Sequence, residues 1–219
     1  MGKRVRERHF SVIGMSNHGK SHWSELLAAL GYRWISIDKR IAERLRPELE
    51  TKGLTVDTDG VAAWMGMPWD EGFESNQARY LQLEEELTRE ALLTLDPGTP
   101  TVIDTTGSVV HLSGELLTLL IELTVVILVD SDDNRDAEGV ALYLSKPKPV
   151  ALVSFWDSSW NTLGEEDRMA HLKTAIAGLR KLRASIYRGI AHVILPYAQH
   201  HESGWTVSEF IAAIESQTA

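Results

Sequence analysis

Residues 14–21, with the sequence Gly-Met-Ser-Asn-His-Gly-Lys-Ser, have the composition and spacing of a phosphate-binding loop. They follow a short apolar run at 10–13 and precede an apolar-periodic run that begins at Trp23, so a predicted strand and a predicted helix flank them. Glycine permits backbone dihedrals that a Cβ forbids, and the N–H groups at a helix start attract anions. The pattern G-x-x-x-x-G-K-[ST] in this setting predicts a site for nucleotide phosphates. A glycine-rich turn without a ligand is the alternative.

Two side chains at the end of this loop carry the expected chemistry. Lys20 is expected to reach the β- and γ-phosphates of ATP, and the Ser21 hydroxyl is expected to be a Mg²⁺ ligand. The other nucleotide contacts are expected from neighbouring residues, namely Gly14, Met15, Ser16, Asn17, His18, Gly19 and His22. His18 is unusual in such a loop, and a solvated side chain is its alternative interpretation.

Two aspartates at predicted element ends are further candidates for phosphoryl-transfer chemistry. Asp38 follows a predicted strand, where it can orient an attacking hydroxyl and accept its proton. A plain helix N-cap is a compatible alternative for Asp38. Asp104 ends an apolar strand, which is where P-loop proteins place an acid on the Mg²⁺ side of the site. An acid bonded only to backbone N–H groups is the alternative for Asp104.

Composition and charge exclude several classes of protein. The chain has 219 residues and is 43% hydrophobic, which suits one α/β domain with a sizeable core. Its net charge of -9 argues against a nucleic-acid partner, and the absence of cysteine excludes disulfides and thiolate metal sites. No apolar run of about 18 residues predicts a membrane span, and we expect no signal peptide and a cytoplasmic location. The sequence does not predict the oligomeric state.

Predicted strands alternate with predicted helices along the chain. The strands are expected at 10–15, 33–37, 101–104, 123–129 and 192–195, and the helices at 20–30, 38–47, 74–95, 111–121, 165–188 and 205–216. This alternation predicts a parallel sheet covered by helices on both faces, which is a three-layer α/β/α fold. Residues 51–72 are predicted to be irregular, with aspartates in a solvated loop, and residues 131–160 are predicted to be a mobile segment.

Four stretches, in order and spacing, resemble the shikimate kinases. They are residues 14–21, 31–38, 102–108 and 183–191. The resemblance implies a P-loop NTPase fold similar to nucleoside monophosphate kinases, with a five-stranded parallel sheet in the order 2-3-1-4-5. It implies one domain over 1–219, with an acceptor-binding insert at about 38–80 and a lid at about 131–164. The activity it implies is Mg²⁺-dependent transfer of the γ-phosphoryl group of ATP to a hydroxyl of a small anionic metabolite, with shikimate the first candidate.

The resemblance also implies a role for individual residues. Asp38 matches the acid that holds the acceptor hydroxyls, and Gly107 matches the middle of the family's glycine turn. Arg183 and, on a looser alignment, Arg79 match the arginines that bind the acceptor carboxylate. Lys148 falls at the position of the lid arginine, where it is expected to meet the γ-phosphate.

This sequence departs from the family pattern at several of these positions. Ser36 stands where the family has the first acid of an Asp-x-Asp pair, and Asp104 is our candidate to replace that acid at the metal. Residues 106–108 are Thr-Gly-Ser rather than three glycines, and Lys148 lacks the planar fork of an arginine. A regulatory relative that binds nucleotide without catalysis therefore stays open as an alternative.

A GTPase is the other class that the loop could indicate. Residues 104–107, Asp-Thr-Thr-Gly, match the D-x-x-G pattern of GTPases. No guanine-reading Asn-Lys-x-Asp run follows the next apolar strand, because residues 129–133 are Val-Asp-Ser-Asp-Asp. The sequence therefore favours a small-molecule kinase.

Overall fold

The computed structural model describes residues 8–131, 141, 143–145, 148–200 and 204–218. Its one five-stranded sheet consists of β1 (Phe10–Ile13), β2 (Arg33–Ser36), β3 (Thr101–Asp104), β4 (Val125–Val129) and β5 (Val193–Leu195). The strands are parallel and lie in the order β2-β3-β1-β4-β5. The predicted α/β class and the strand order 2-3-1-4-5 are therefore confirmed.

Helices cover both faces of this sheet. They are α1 (Lys20–Ala29), α2 (Ile37–Arg44), α3 (Arg46–Thr51), α4 (Thr58–Met65), α5 (Phe73–Leu93), α6 (Gly114–Leu123), α7 (Glu165–Ile190), α8 (Tyr197–His200) and α9 (Val207–Thr218). Val12 and Ile13, neighbours in β1, belong to different apolar clusters because successive strand residues point to opposite faces. The cluster around Ile13 includes residues of α2, α5, α6 and α7, and the cluster around Val12 includes residues of α1 and α9. The three-layer prediction is therefore confirmed.

Helix α1 holds the phosphate-binding loop against the sheet. It ends at Ala29, one residue before the predicted end, and Gly31 adopts the left-handed conformation (φ 99°) that the sequence predicts for a helix C-cap. The Gly31 N–H donates to the Ala28 carbonyl at 2.9 Å, and the Tyr32 N–H donates to the Leu27 carbonyl at 3.2 Å. These two bonds form a Schellman motif, which satisfies carbonyl groups at the end of the helix.

Ser36, and not Asp38, is the N-cap of α2. The Ser36 hydroxyl accepts a hydrogen bond from the Lys39 N–H at 3.4 Å, whereas Asp38 lies in the first turn of the helix. An N-cap side chain must reach the N–H two or three positions further along the helix, and the helix begins too early for Asp38 to do so. The N-cap interpretation of Asp38 is therefore wrong, and its carboxylate is available for another role.

The segment predicted to be irregular at 51–72 contains helix α4. Asp57 caps this helix by accepting a hydrogen bond from the Gly60 N–H at 2.8 Å, and it also accepts from the Thr55 hydroxyl at 2.8 Å. Asp70 accepts from the Met67 N–H at 2.7 Å in the following turn. These two aspartates are exposed, as predicted, but the helix that Asp57 caps shows that the prediction of an irregular segment is wrong.

The predicted mobile segment is packed over the part that the structure describes. Ala151 and Leu152 are fully buried, and the Gln77 side-chain oxygen of α5 accepts from the Leu152 N–H at 2.6 Å. The Trp156 indole N–H donates to the Pro68 carbonyl at 2.7 Å, which attaches this segment to the insert. Residues 132–140, 142, 146 and 147 of the predicted lid lie outside the described residues. Within the described ranges, no helix combines the length and apolar character that a bilayer span requires.

Candidate active site

The phosphate-binding loop connects the central strand β1 to α1. Gly14 has φ 142°, and a Cβ at that position would lie 2.5 Å from the Val129 carbonyl oxygen, so only glycine fits. The Lys20 side chain folds back across the loop, is 6% exposed, and donates from Nζ to the Met15 carbonyl at 3.0 Å. Because α1 begins at Lys20, its first N–H groups face the same loop. The structure therefore has the shape that the motif predicts.

A cavity of about 370 Å³ lies against this loop at the carboxyl ends of β1, β2 and β3; we call it the main cavity. Its walls include residues of the loop together with Asp38, Thr58, Tyr80, Gly107 and Lys148. The volume is in the usual range of small-ligand sites, and carboxyl-terminal strand ends are the usual place for them in open α/β sheets. The fold thus brings the predicted catalytic residues Lys20, Asp38 and Lys148 into one cavity.

Asp38 has a proton affinity suited to general-base chemistry. Burial raises the pKa of Asp38 to about 6, the positive charge of Lys20 opposes that rise, and the negative charge of Asp104 adds to it. The Tyr80 hydroxyl donates to Asp38 Oδ1 at 3.3 Å, which fixes one carboxylate oxygen and leaves the other for a ligand. A carboxylate with a pKa slightly below neutral can accept a proton at neutral pH.

Asp104 lies beside Ser36 across the sheet. The two residues are partners in the parallel register of β2 and β3, so an acid lost at Ser36 is present on the neighbouring strand. Burial raises the pKa of Asp104, and the charge of Lys20 and a hydrogen bond from Ser21 oppose that rise. Asp104 is 3% exposed, and its Oδ1 has no hydrogen-bond partner among the described residues. A buried carboxylate oxygen without a donor next to a serine hydroxyl fits a Mg²⁺ site, because Mg²⁺ prefers oxygen ligands.

The turn after β3 is held by Glu84, a residue that sequence reasoning missed. The Thr106 hydroxyl donates to Glu84 Oε1, and the Ser108 hydroxyl donates to Oε2 at 2.6 Å. The Tyr187 hydroxyl donates to the carbonyl of Gly107, which lies between those two residues. Glu84 stands in a run of three glutamates that suggests a charged face. Its spacing of four residues from the buried Tyr80 was the signal that places it on the core side.

We expect Glu84 to make the stability of the protein depend on pH. Burial raises the pKa of Glu84 from 4.5 to about 7, so between these pH values the folded protein holds a proton that the unfolded chain releases. The contribution of Glu84 to the free energy of unfolding is therefore expected to fall by about 3 kcal/mol as pH rises from about 4.5 to 7. Glu84→Gln should remove this contribution when urea midpoints are compared across that range.

The matched control is Glu86→Gln, which changes a half-exposed glutamate on the same helix. It should leave the pH dependence of the free energy of unfolding unchanged. A Glu84→Gln variant that loses stability with rising pH as steeply as the parent would contradict the assignment. The comparison with the parent is needed because the lowered pKa values of His18 and His111 make stability rise with pH over much of the same window.

Arg183 approaches the turn at Gly107 from α7. Its side chain is 5% exposed, and it donates from Nε to His111 Nε2 at 3.2 Å and from Nη2 to the Ala151 carbonyl at 2.9 Å. Burial and the charge of Arg183 lower the pKa of His111 to about 4, so His111 is neutral and can accept that bond. Arg183 Nη1 lies 3.6 Å from the position that a Cβ on Gly107 would occupy. A glycine at 107 therefore leaves space next to this guanidinium.

Arg79 is not brought to the cavity. It is half-buried on α5, and the described residues that line the main cavity include its neighbour Tyr80 instead. Within the described ranges Arg79 has no hydrogen bond or ion pair. Adjacent helical residues point about 100° apart. Arg79 and Tyr80 therefore point in different directions, and Tyr80 is the one that lines the main cavity.

Lys148 connects the predicted lid to the predicted insert. Its Nζ forms an ion pair with the Asp59 carboxylate of α4, and Lys148 also lines the main cavity. Together with the Trp156 contact to Pro68, this pair places the described part of residues 131–164 against residues 38–80. The arrangement keeps a cation on the wall of the cavity.

The two histidines of the predicted nucleotide site differ in environment. His18 is half-buried and Nδ1 is 2.8 Å from the Ser16 carbonyl, and burial lowers the pKa of His18 to about 4. His18 is therefore neutral, and the interpretation as a solvated residue is wrong. His22 is exposed in the first turn of α1 and lines the main cavity.

The fold is that of known shikimate kinases, although no protein-family profile and no curated protein matches the sequence. The shikimate kinase from Acinetobacter baumannii in complex with shikimate superposes with a TM-score of 0.57 at 16% identity, over 96% of this chain and 91% of that one. The Aquifex aeolicus enzyme gives 0.54 at 16% identity, over 95% and 96% of the two chains. The Bacteroides thetaiotaomicron enzyme gives 0.54 at 14% identity, over 95% of each chain. The chain therefore has a shikimate kinase-like P-loop fold.

Proposed function

We propose that this protein is an ATP-dependent kinase that transfers the γ-phosphoryl group to a hydroxyl of a small anionic metabolite, with shikimate the first acceptor to test. One observation carries the proposal: Lys20 of the phosphate-binding loop and Asp38, a carboxylate with a pKa of about 6, lie on the walls of the same cavity. A phosphate donor and a hydroxyl acceptor bound there would be adjacent. The cytoplasmic location expected from the sequence stays a prediction.

The loop and the first turn of α1 would bind the triphosphate. Their backbone N–H groups and Lys20 neutralise phosphate charge, which supplies most of the catalysis in phosphoryl transfer. Ser21 and Asp104 would hold Mg²⁺, whose charge polarises the phosphate oxygens when it is bound. Among the described residues, no three His, Asp or Glu side chains are placed to hold a metal ion together, so Ser21 and Asp104 would share the ion with the nucleotide and water.

Asp38 would orient the acceptor hydroxyl and take its proton. Tyr80 donates to Asp38 Oδ1, so Oδ2 is available to the hydroxyl that attacks the γ-phosphorus. As the new O–P bond forms, the bond to the β-phosphate oxygen breaks, ADP leaves, and the proton remains on Asp38. Arg183 Nη1, next to Gly107, would pair with the anionic group of the acceptor.

The insert at about 38–80 and the lid at about 131–164 would enclose the two substrates. The ion pair between Lys148 and Asp59 connects the two regions in the structure. When ATP binds, its γ-phosphate would compete with Asp59 for the ammonium group of Lys148. Lys148 would therefore bind the transferred phosphate, and Arg183 would bind the acceptor.

An ADP-release assay over a panel of acceptors tests the proposal. We expect one hydroxylated anion among shikimate, gluconate and related acids to stimulate ADP release, with nucleosides and neutral sugars inactive. The second candidate is a regulatory protein that binds nucleotide without catalysis, and the position of Arg79 outside the main cavity favours it, because one acceptor-binding arginine is then missing. Tight MgATP binding without turnover on any acceptor would support that candidate.

Asp104→Asn is expected to raise the Mg²⁺ concentration for half-maximal turnover about tenfold or more, because the variant loses one anionic oxygen beside Ser21. Turnover measured against total Mg²⁺ at fixed ATP reports this change. Asp130→Asn is the control, since Asp130 follows β4 and binds Arg188 instead. We would abandon this role for Asp104 if both variants matched the parent.

A further inference from the structure

A second cavity of about 70 Å³ lies between the phosphate-binding loop and α7; we call it the side cavity. Apolar side chains form much of its wall, contributed by Met15, Val150, Ile176 and Leu179. The space would hold about five water-sized groups, since one such group needs about 10–15 Å³ by this measure. The cavity is therefore large enough for a short aliphatic group and too small for a nucleotide base.

The side cavity adjoins the main cavity. Ser16, Asn17 and Lys148 line both of them. Gly107 lines the main cavity and Arg183 lines the side cavity, and a Cβ on Gly107 would lie 2.9 Å from Ser16 Oγ and 3.6 Å from Arg183 Nη1. The absence of a side chain at Gly107 thus leaves space between Ser16 and Arg183, where the two cavities meet.

Arg183 supplies an anion-binding group at this junction. Its side chain is more than nine-tenths buried, and Nε and Nη2 bond to His111 and the Ala151 carbonyl. Nη1 has no hydrogen-bond partner among the described residues. A carboxylate or phosphate bound at this junction can accept a charge-assisted hydrogen bond from Nη1.

The charges around the side cavity fit an anion rather than a cation. Lys148, Arg180 and Arg183 contribute to its lining, whereas none of the described lining residues is an aspartate or glutamate. His18 also lines it and is neutral, because burial holds the pKa of His18 near 4. The cavity thus combines an apolar wall with cationic side chains in its lining.

We propose that the acceptor carries a short apolar group beside its anionic group, and that this apolar group fills the side cavity. The hydroxyl would lie at Asp38, the anion at Arg183, and the apolar group against Val150, Ile176 and Leu179. This inference rests on the proposed function and narrows its substrate class to amphipathic hydroxy anions. An acceptor without the apolar group would leave the side cavity unfilled and would bind more weakly.

Binding of butyrate and acetate to the MgADP-bound protein, measured by calorimetry, tests the inference. Both anions can pair with Arg183, and butyrate adds two methylene groups. We expect butyrate to bind about fifteenfold more tightly than acetate, because each of the two buried methylenes strengthens binding about fourfold. Equal affinities for the two anions would overturn the inference.

Two phenylalanine substitutions test whether the preference for butyrate over acetate arises in the side cavity. Val150→Phe fills the side cavity from a half-buried position and should abolish the advantage of butyrate. Leu182→Phe, on α7 but outside the described cavity lining and 38% exposed, should retain the advantage. A Val150→Phe protein that still binds MgADP and still prefers butyrate would overturn the inference.

The same samples separate this inference from the proposed function. Normal MgADP binding without a preference for butyrate overturns the side-cavity assignment alone, whereas loss of MgADP binding by the parent overturns the kinase proposal. With the acceptor identified by the panel, butyrate should raise the apparent KM of that acceptor and leave kcat unchanged. A decrease in kcat at constant KM would show a separate effector site and would overturn the acceptor assignment.

Discussion

Asp38→Asn is expected to lower kcat about 10²- to 10⁴-fold, which is the usual contribution of general acid–base catalysis. Asparagine has nearly the same shape and can still accept the hydrogen bond that Tyr80 donates to Asp38 Oδ1. It cannot accept the proton of the acceptor hydroxyl. The Kd for MgATP should stay within about twofold, because the proposed phosphate contacts come from the loop and not from this side chain.

The pH dependence of the parent provides a second readout of Asp38. Burial raises the pKa of Asp38 to about 6, and only the ionised carboxylate can act as a base. We therefore expect kcat/KM to rise with pH up to and through about 6 and to level off above it. The Asp38→Asn protein should lack this limb, and Asp96→Asn, in the turn before β3, should retain it. Turnover by Asp38→Asn within tenfold of the parent would contradict the role of Asp38.

Lys20→Met is expected to lower kcat about 10²- to 10³-fold, the usual effect of losing one preorganised group at developing charge. It should also weaken ATP binding at least tenfold. Methionine keeps the apolar length of the side chain in its buried position, so the loss reports the ammonium group that donates to the Met15 carbonyl. A fluorescent-ATP titration and the ADP-release assay measure the two effects.

Lys39→Met is the control for Lys20, because Lys39 is an exposed lysine whose ammonium lies 4.0 Å from the ring centroid of Trp34. The Lys39→Met protein should bind ATP and release ADP as the parent does. A Lys20→Met protein that folds with parental circular dichroism and binds ATP with parental affinity would contradict the assignment of the phosphate-binding loop.

Sequence patterns predicted those parts of the structure that depend on interactions between residues close together in the chain. The loop at 14–21 and the C-cap at Gly31 depend on glycine dihedrals and on neighbouring residues, so the sequence alone located both. The buried, mostly β-branched run of β4 likewise indicated a central parallel strand. The strand order came from the resemblance of several motifs, since periodicity does not determine which strands are neighbours.

The errors arose where tertiary contacts decide the outcome. Residues 51–72 looked irregular in sequence, but the exposed Asp57 caps a helix there that packs against α2 and α5. Leu152 lies in a segment of mixed polarity, and its burial depends on the distant Gln77, which accepts its N–H. Glu84 lies one helical turn from Tyr80, but its place in a run of three glutamates concealed that both side chains face the interior of the protein.

A structure of the protein with magnesium and a non-hydrolysable ATP analogue tests the central claim most directly. We predict that the triphosphate occupies residues 14–21, that Lys20 contacts its terminal phosphates, and that the γ-phosphate faces Asp38 across the main cavity. A triphosphate bound elsewhere, or a loop left empty at saturating analogue, would contradict the account.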